Sequence, residues 1–172
     1  MAILGYIFTA LNYLIYCVSR FMPSKKTMLL LDLLSKILMA IGLYFLNSLS
    51  GAYMTIAIFF MLIVANIKEQ LNKKWAYWYV FFQGLYFLIL FFTYEGFSSI
   101  LITATVSTAL FSVWWLQPQQ MRLISFLNGF TYLAYQISIK NWAGLLEIFL
   151  ILSNFLSFFK YRKCNKKNKN RP

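Results

Sequence analysis

Hydrophobic residues dominate seven stretches of the chain, at 2–18, 28–45, 50–67, 75–92, 97–115, 123–138 and 142–159, with short polar gaps between them. Each stretch is close to the roughly 17 residues that a helix needs to cross the hydrocarbon core of a bilayer. Backbone amides find no water in hydrocarbon, so each stretch is expected to satisfy them internally as a helix. The pattern predicts an all-α membrane protein with seven transmembrane helices.

Composition agrees. Of the 172 residues, 61% are hydrophobic and only 12% charged, against about 25% charged in a soluble domain. Mean hydropathy is +0.66. So few charges could not cover a soluble fold, and lipid is the solvent that accepts the remaining surface.

The net charge of +12 does not point to nucleic acid, because of where the basic residues lie. Taking the N-terminus as outside, the inner segments hold Arg20, Lys25 and Lys26, then Lys68, Lys73 and Lys74, then Arg122, and finally seven basic residues from Lys160 onward. The outer segments hold only Lys140, and Lys36 falls within a stretch, so 14 basic residues lie inside against 1 outside. This is the positive-inside signature, and it supports both the helix count and the orientation. The first stretch has no Lys or Arg before Arg20, so it reads as a helix and not as a signal peptide. The expected orientation places the C-terminal tail, residues 161–172, in the cytoplasm and attracted to anionic lipid. All five tryptophans, Trp75, Trp78, Trp114, Trp115 and Trp142, fall at predicted helix ends, where such rings anchor at the headgroup level. A substrate-stacking role for Trp114 or Trp115 is the alternative.

The two halves of the chain look alike. The stretch Tyr16-Cys17-Val18-Ser19-Arg20-Phe21-Met22-Pro23 lines up with Phe111-Ser112-Val113-Trp114-Trp115-Leu116-Gln117-Pro118, an offset of 118 − 23 = 95. Ser50-Gly51-Ala52 lines up with Ala143-Gly144-Leu145, an offset of 144 − 51 = 93. A repeat of three helices would arrive inverted unless one extra helix intervened. The stretch at 75–92 serves as that linker. The plan is then 3+1+3: a membrane domain over 1–160, with parallel triple-helix repeats at 1–68 and 97–160. This plan resembles the SWEET sugar transporters, the PQ-loop proteins and the nicotinamide-riboside transporters.

A closer resemblance is to the YgjV-type family of bacterial inner-membrane proteins. It rests on Thr105-Val106-Ser107-Thr108-Ala109-Leu110-Phe111, on Met121-Arg122, and on a last helix with Glu147 near its start and Asn154 within it. The family is grouped with the same transporter superfamily, so the resemblance implies a fold more than a substrate. Gln117-Pro118-Gln119-Gln120 looks like a PQ motif, but the first half has Pro23-Ser24 in its place. The resemblance also implies bending at intramembrane prolines, whereas Pro23, Pro118 and Pro172 all lie outside the helix middles. Any hinges would fall to Gly42, Gly51, Gly129 or Gly144.

Polar residues at membrane depth are candidate functional groups. Asp32, Ser35 and Lys36 share a face of the second helix, and Asp before Lys at i, i+4 favours an ion pair. Lys36 would sit roughly 12 Å into that helix at its 1.5 Å rise per residue, either in a cavity or reaching toward the inner interface. At an offset of 93 these residues map onto Ser125, Asn128 and Gly129 of the sixth helix. Thr131 and Tyr135 extend that face. In the last helix Glu147, Asn154 and Ser157 share another, with Glu147 either interfacial or binding a cation or proton. The substrate-binding candidates are therefore Asp32, Ser35, Lys36, Ser125, Asn128, Glu147 and Asn154. Asn12, Asn66 and Gln83 read as packing groups, and Thr103, Ser107 and Thr108 as a seam for close helix contact.

With no histidine, two cysteines and four scattered acids, no metal, cofactor or catalytic set is expected, and no enzyme. The leading expectation is a transporter of a small polar metabolite that rocks one triple-helix bundle against the other. The alternative is a non-transporting membrane protein: an immunity factor, an assembly partner or a receptor-like scaffold.

Overall fold

The computed structural model describes residues 2–71 and 75–169, with side chains described for 3–71 and 75–161. Lys73 and Lys74 and the tail side chains beyond Tyr161 lie outside those residues. The described helices are α1 (Ala2–Arg20), α2 (Lys25–Phe45), α3 (Leu49–Leu71), α4 (Ala76–Phe92), α5 (Phe97–Trp115), α6 (Pro118–Ser138) and α7 (Glu147–Lys169); a 3₁₀ turn, Trp142–Leu146, leads into α7.

Five helical stretches are long and apolar enough to cross a membrane: those of α1, α2, α3 and α5, and Trp142–Tyr161. The sequence pattern suggested seven. α4 has only 17 residues, and α6 mixes Gln119, Arg122, Asn128 and Gln136 into its apolar residues. The polarity of α6 is one-sided. Arg122 and Gln136 are buried, while Leu123, Leu127, Phe130 and Ile137 are exposed, so the outer face of this helix suits lipid. Both α2 and α6 begin earlier than hydropathy alone suggested. Pro118 supplies a preset first-turn φ at a position that needs no amide donor, and the Gln117 N–H donates to Gln120 Oε1 at 3.2 Å.

The helices close into a ring. α1 packs on α2, α2 on α3, α3 on α5, α5 on α6, α6 on α7, and α7 returns to α1. α4 stands outside the ring against α3 and α5. It turns Phe82 and Tyr86 inward and leaves Phe81, Phe87, Phe91 and Phe92 exposed. Gln83 Nε2 donates to Ser107 Oγ at 2.8 Å and ties α4 to α5.

Two turns at one end of the ring share a geometry. After α2, Asn47 adopts φ 56°, and after α6 Lys140 adopts φ 55°. In the first, the Ser48 N–H donates to Leu43 O and the Asn47 N–H to Tyr44 O; in the second, Asn141 donates to Gln136 O and Lys140 to Ile137 O. Both are Schellman stops, which satisfy the last carbonyls of a helix through a left-handed residue.

The opposite, basic end holds the carbonyl termini of α1 and α5. These carbonyls have no partner within their own helix, and cations are favoured beside them. Arg122 of α6 donates through Nε to Arg20 O at 3.1 Å and through Nη2 to Met22 O at 2.7 Å. Tyr161 of α7 donates to Phe21 O at 2.6 Å. In turn, Lys68 of α3 donates to Trp114 O and lies 4.8 Å from the centre of the Trp114 ring. Arg20 and Arg122, expected as loop charges, are buried at 1% and 2% exposure. Trp114, expected at the headgroup level, is buried as well.

The glycines expected as hinges are contact points. An added Cβ would meet Gly5 O and Thr9 at Gly42, the Tyr135 hydroxyl at Gly51, Ile151 at Gly129 and Gln136 at Gly144. Small residues of this kind let helix backbones approach closely in lipid. At Gly84 nothing lies within 4 Å of the added carbon. Gly51→Ala should therefore destabilise the protein by about 1–3 kcal/mol through overpacking, while Gly84→Ala should leave it unchanged or gain up to about 1 kcal/mol of helix propensity. Thermal unfolding of both variants in detergent checks this; equal midpoints would contradict the close contact at Gly51.

Candidate functional site

The ring surrounds a cavity of about 80 Å³, measured as the space open to the centre of a water-sized sphere. A single water needs roughly 10–15 Å³ on that measure, so there is room for several waters or one small solute. Every ring helix contributes to the wall: Asn12 and Tyr16 from α1, Lys36 from α2, Thr55 from α3, Thr105 from α5, Asn128 from α6 and Glu147 from α7, among others.

Six of the seven sequence candidates meet there: Asp32, Lys36, Ser125, Asn128, Glu147 and Asn154. Ser35 is turned away from it. Its hydroxyl donates to Asp32 O at 2.8 Å, and its carbonyl accepts from Asn12 Nδ2 at 3.0 Å. Trp114 and Trp115 do not reach the wall. Tyr135 turns to the far end of the bundle and bonds Ser48 at 2.9 Å. Ser157 donates to the Asn154 carbonyl at 3.0 Å. Of the fifth-helix seam, Thr103 is buried and donates to Ser99 O at 2.7 Å, whereas Thr108 is exposed and only closes its own helical turn through Ala104 O.

The expected pairing of Asp32 with Lys36 does not form. Asp32 forms an ion pair with Arg20 Nη2 from the last turn of α1 and accepts from Ser19 Oγ at 2.5 Å. Arg20 Nε donates to Ser19 Oγ at 3.1 Å and closes the cluster. Spacing within one helix could not reveal this, because the stronger partner comes from a neighbouring helix whose Arg20 looked like a loop charge.

Lys36 is thus left without an ion-pair partner, though Asp32 and Glu147 share its cavity. The two ion pairs among the described residues are Arg20–Asp32 and Lys25–Glu69. Lys36 Nζ sits 4.6 Å from the centre of the Tyr16 ring, which also carries the Arg20 guanidinium at 4.3 Å. Because α2 starts at Lys25, Lys36 is the twelfth of its 21 residues, about 16 Å along at 1.5 Å per residue and so near mid-depth.

Glu147 is 2% exposed and not interfacial. Its Oε2 has no hydrogen-bond partner among the described residues, and neither do Tyr13 Oη and Asn154 Oδ1. Glu147 Oε1 lies 3.4 Å from the Cβ position of Gly129, which is the twelfth of the 21 residues of α6. The missing side chain at Gly129 leaves space for the carboxylate at the middle of the bundle. Asn128 is anchored, donating to Thr105 O at 2.9 Å and accepting from Thr131 Oγ1 at 3.1 Å. Among the described residues no group of three or more His, Cys, Asp or Glu side chains could hold a metal ion.

A ring of apolar-faced helices around a charged, polar cavity defines a multi-pass helical membrane protein. The chain belongs to the Imp-YgjV family of bacterial inner membrane proteins, whose model matches residues 3–165. The resemblance read from Thr105–Phe111, Met121-Arg122, Glu147 and Asn154 holds at the level of that family. No curated protein and no solved structure matches the chain.

Removing one partner of a buried ion pair strands the other charge, at about 3–5 kcal/mol. Asp32→Asn should therefore lower stability strongly, while Lys36→Met, which removes a charge that is in no ion pair among the described residues, should cost less. Unfolding midpoints in detergent distinguish the two. A larger loss for Lys36→Met would mean that Asp32 pairs with Lys36 after all.

Proposed function

We propose that the protein carries a small polar solute across the inner membrane, with the central cavity as its binding site and the two halves of the ring as the moving parts. The observation that carries this reading is the cavity itself, which draws polar and charged side chains from all six ring helices. Charged groups at membrane depth are expensive and mark solute pathways more often than they serve structure.

The two-repeat plan supports it. α1 and α5 have 19 residues each, α2 and α6 have 21 each, and the two Schellman stops fall 140 − 47 = 93 residues apart. The clasps at the basic end are reciprocal: Lys68 on Trp114 O and Tyr161 on Phe21 O are related by the same offset, since 161 − 68 = 93 and 114 − 21 = 93. On this reading α1–α3 and α5–α7 are parallel repeats joined by α4, all seven helices cross the bilayer, and the chain joins the SWEET-like superfamily. The polar side of α6 faces the cavity, so its low apolarity is no obstacle to crossing. The basic end faces the cytoplasm, in keeping with the positive-inside rule, and the tail meets anionic lipid there. We propose no catalysis: the charged groups of the cavity are the Arg20–Asp32 ion pair and two groups in no ion pair among the described residues, Lys36 and Glu147.

Purified protein in liposomes tests the reading. Flux of at least one solute from a panel of sugars, vitamins and amino acids is expected, and Asn128→Leu should reduce it severalfold without loss of fold. No flux and no binding across the panel would exclude a carrier. The tight glycine contacts at Gly42, Gly51, Gly129 and Gly144 favour a second reading, a static membrane partner of another protein. It predicts a stoichiometric protein that co-purifies from native membranes.

A further inference from the structure

The cavity holds four charged side chains, Arg20, Asp32, Lys36 and Glu147. Arg20 and Asp32 neutralise each other. What remains is one basic and one acidic side chain, neither of them in an ion pair among the described residues. They come from different halves, Lys36 from α2 and Glu147 from α7, and both reach the middle of the bundle: Lys36 by its place in α2, Glu147 by the space above Gly129. α1, which packs on both α2 and α7, contributes Tyr13 and Tyr16 to the wall. Tyr13 Oη, Glu147 Oε2 and Asn154 Oδ1 are buried with no hydrogen bond among the described residues, and Tyr13 and Glu147 face each other.

Lys36 and Glu147 lie in each other's field but in no ion pair, so an uncharged solute would leave both without a counter-charge in contact, and a simple ion would supply only one. Both outcomes are unfavourable, because a buried charge needs a partner in hydrogen-bonding contact. We propose that the cavity binds a small zwitterion with one ammonium and one carboxylate group. Glu147 and the Asn154 and Tyr13 oxygens receive the ammonium, and Lys36 receives the carboxylate. The volume of about 80 Å³, room for several waters at roughly 10–15 Å³ each on the same measure, is enough for a solute of amino-acid size. The assignment rests on the carrier reading, since it takes the cavity as the solute site. It also gives the two halves a reason to close together, because the solute carries one charge for each.

The test uses the full-length protein in detergent and in liposomes, with L-alanine, L-serine and β-alanine as probes. Alaninamide, which lacks the carboxylate, and lactate, which lacks the ammonium, are the matched controls, and ribose is the neutral one. At least one zwitterion is expected to raise the unfolding midpoint and to be taken up, with alaninamide and lactate at least about tenfold weaker, as expected for loss of one charge-assisted contact. Glu147→Gln should narrow the gap between alanine and lactate, and Lys36→Met the gap between alanine and alaninamide. The wild-type analogue series stands by itself should either variant fail to fold. Equal binding of alanine and its two singly charged analogues would overturn the proposal, as would ribose bound in place of all zwitterions. In the ribose case the carrier reading survives. Absence of binding and flux for every probe would remove the zwitterion assignment, and the same result across the wider panel would remove the carrier as well.

Discussion

The buried contact between Arg20 and Asp32 sets much of what surrounds it. A guanidinium at 1% exposure inside a lipid-facing bundle requires a carboxylate, and Asp32 supplies it from the next helix. That pairing fixes the last turn of α1 against α2, which presents the Arg20 and Met22 carbonyls to Arg122 of the other half. It also commits Asp32 to Arg20, so that Lys36 lies in the field of Asp32 but outside ion-pair distance. The unpaired state of Lys36, and with it the chemistry of the cavity, follows from a choice of partner made nearer the basic end.

The same logic governs the ring as a whole. Hydrocarbon takes no polar group without a penalty, so polar side chains are confined to helix ends, to bonds within a helical turn, or to the shared interior. Thr55, Thr103, Thr105 and Ser153 each return a hydroxyl bond to a carbonyl of their own helix. Asn128 and Gln83 bridge helices. Three atoms that make neither kind of bond, Tyr13 Oη, Glu147 Oε2 and Asn154 Oδ1, lie at the central cavity, while Thr9, Tyr86 and Trp114 carry others elsewhere. The site is thus defined by what the packing leaves unsatisfied as much as by what it brings together.

Much of this was legible in the sequence. Apolar run length found all seven helices, and Gly51 and Gly144, matched in the sequence, each follow a turn of the same backbone geometry, at Asn47 and Lys140. Helical periodicity placed six of seven candidates on the cavity wall, because a polar residue amid apolar neighbours has few other places to go. Periodicity could not tell the interior side of Ser35 from the cavity side. Arg20 and Arg122 were hidden for a different reason. Basic residues at helix ends normally mark topology, and nothing local separates a headgroup-facing arginine from one that folds back onto the carbonyls of a neighbour. Their nearness to the ends of α1 and α5, where orphan carbonyls collect, was the available signal. Lys36 shows a related limit: an i, i+4 acid is a partner only if no better one arrives from elsewhere.

The position of α4 has one more consequence. The ring has two seams between its halves, α3 against α5 and α1 against α7, and α4 sheathes only the first. The molecule is therefore lopsided like a book, bound along one edge and free along the other. In the proposed carrier, any parting of the covers would begin where α1 meets α7, the edge on which Tyr13, Tyr16 and Glu147 stand.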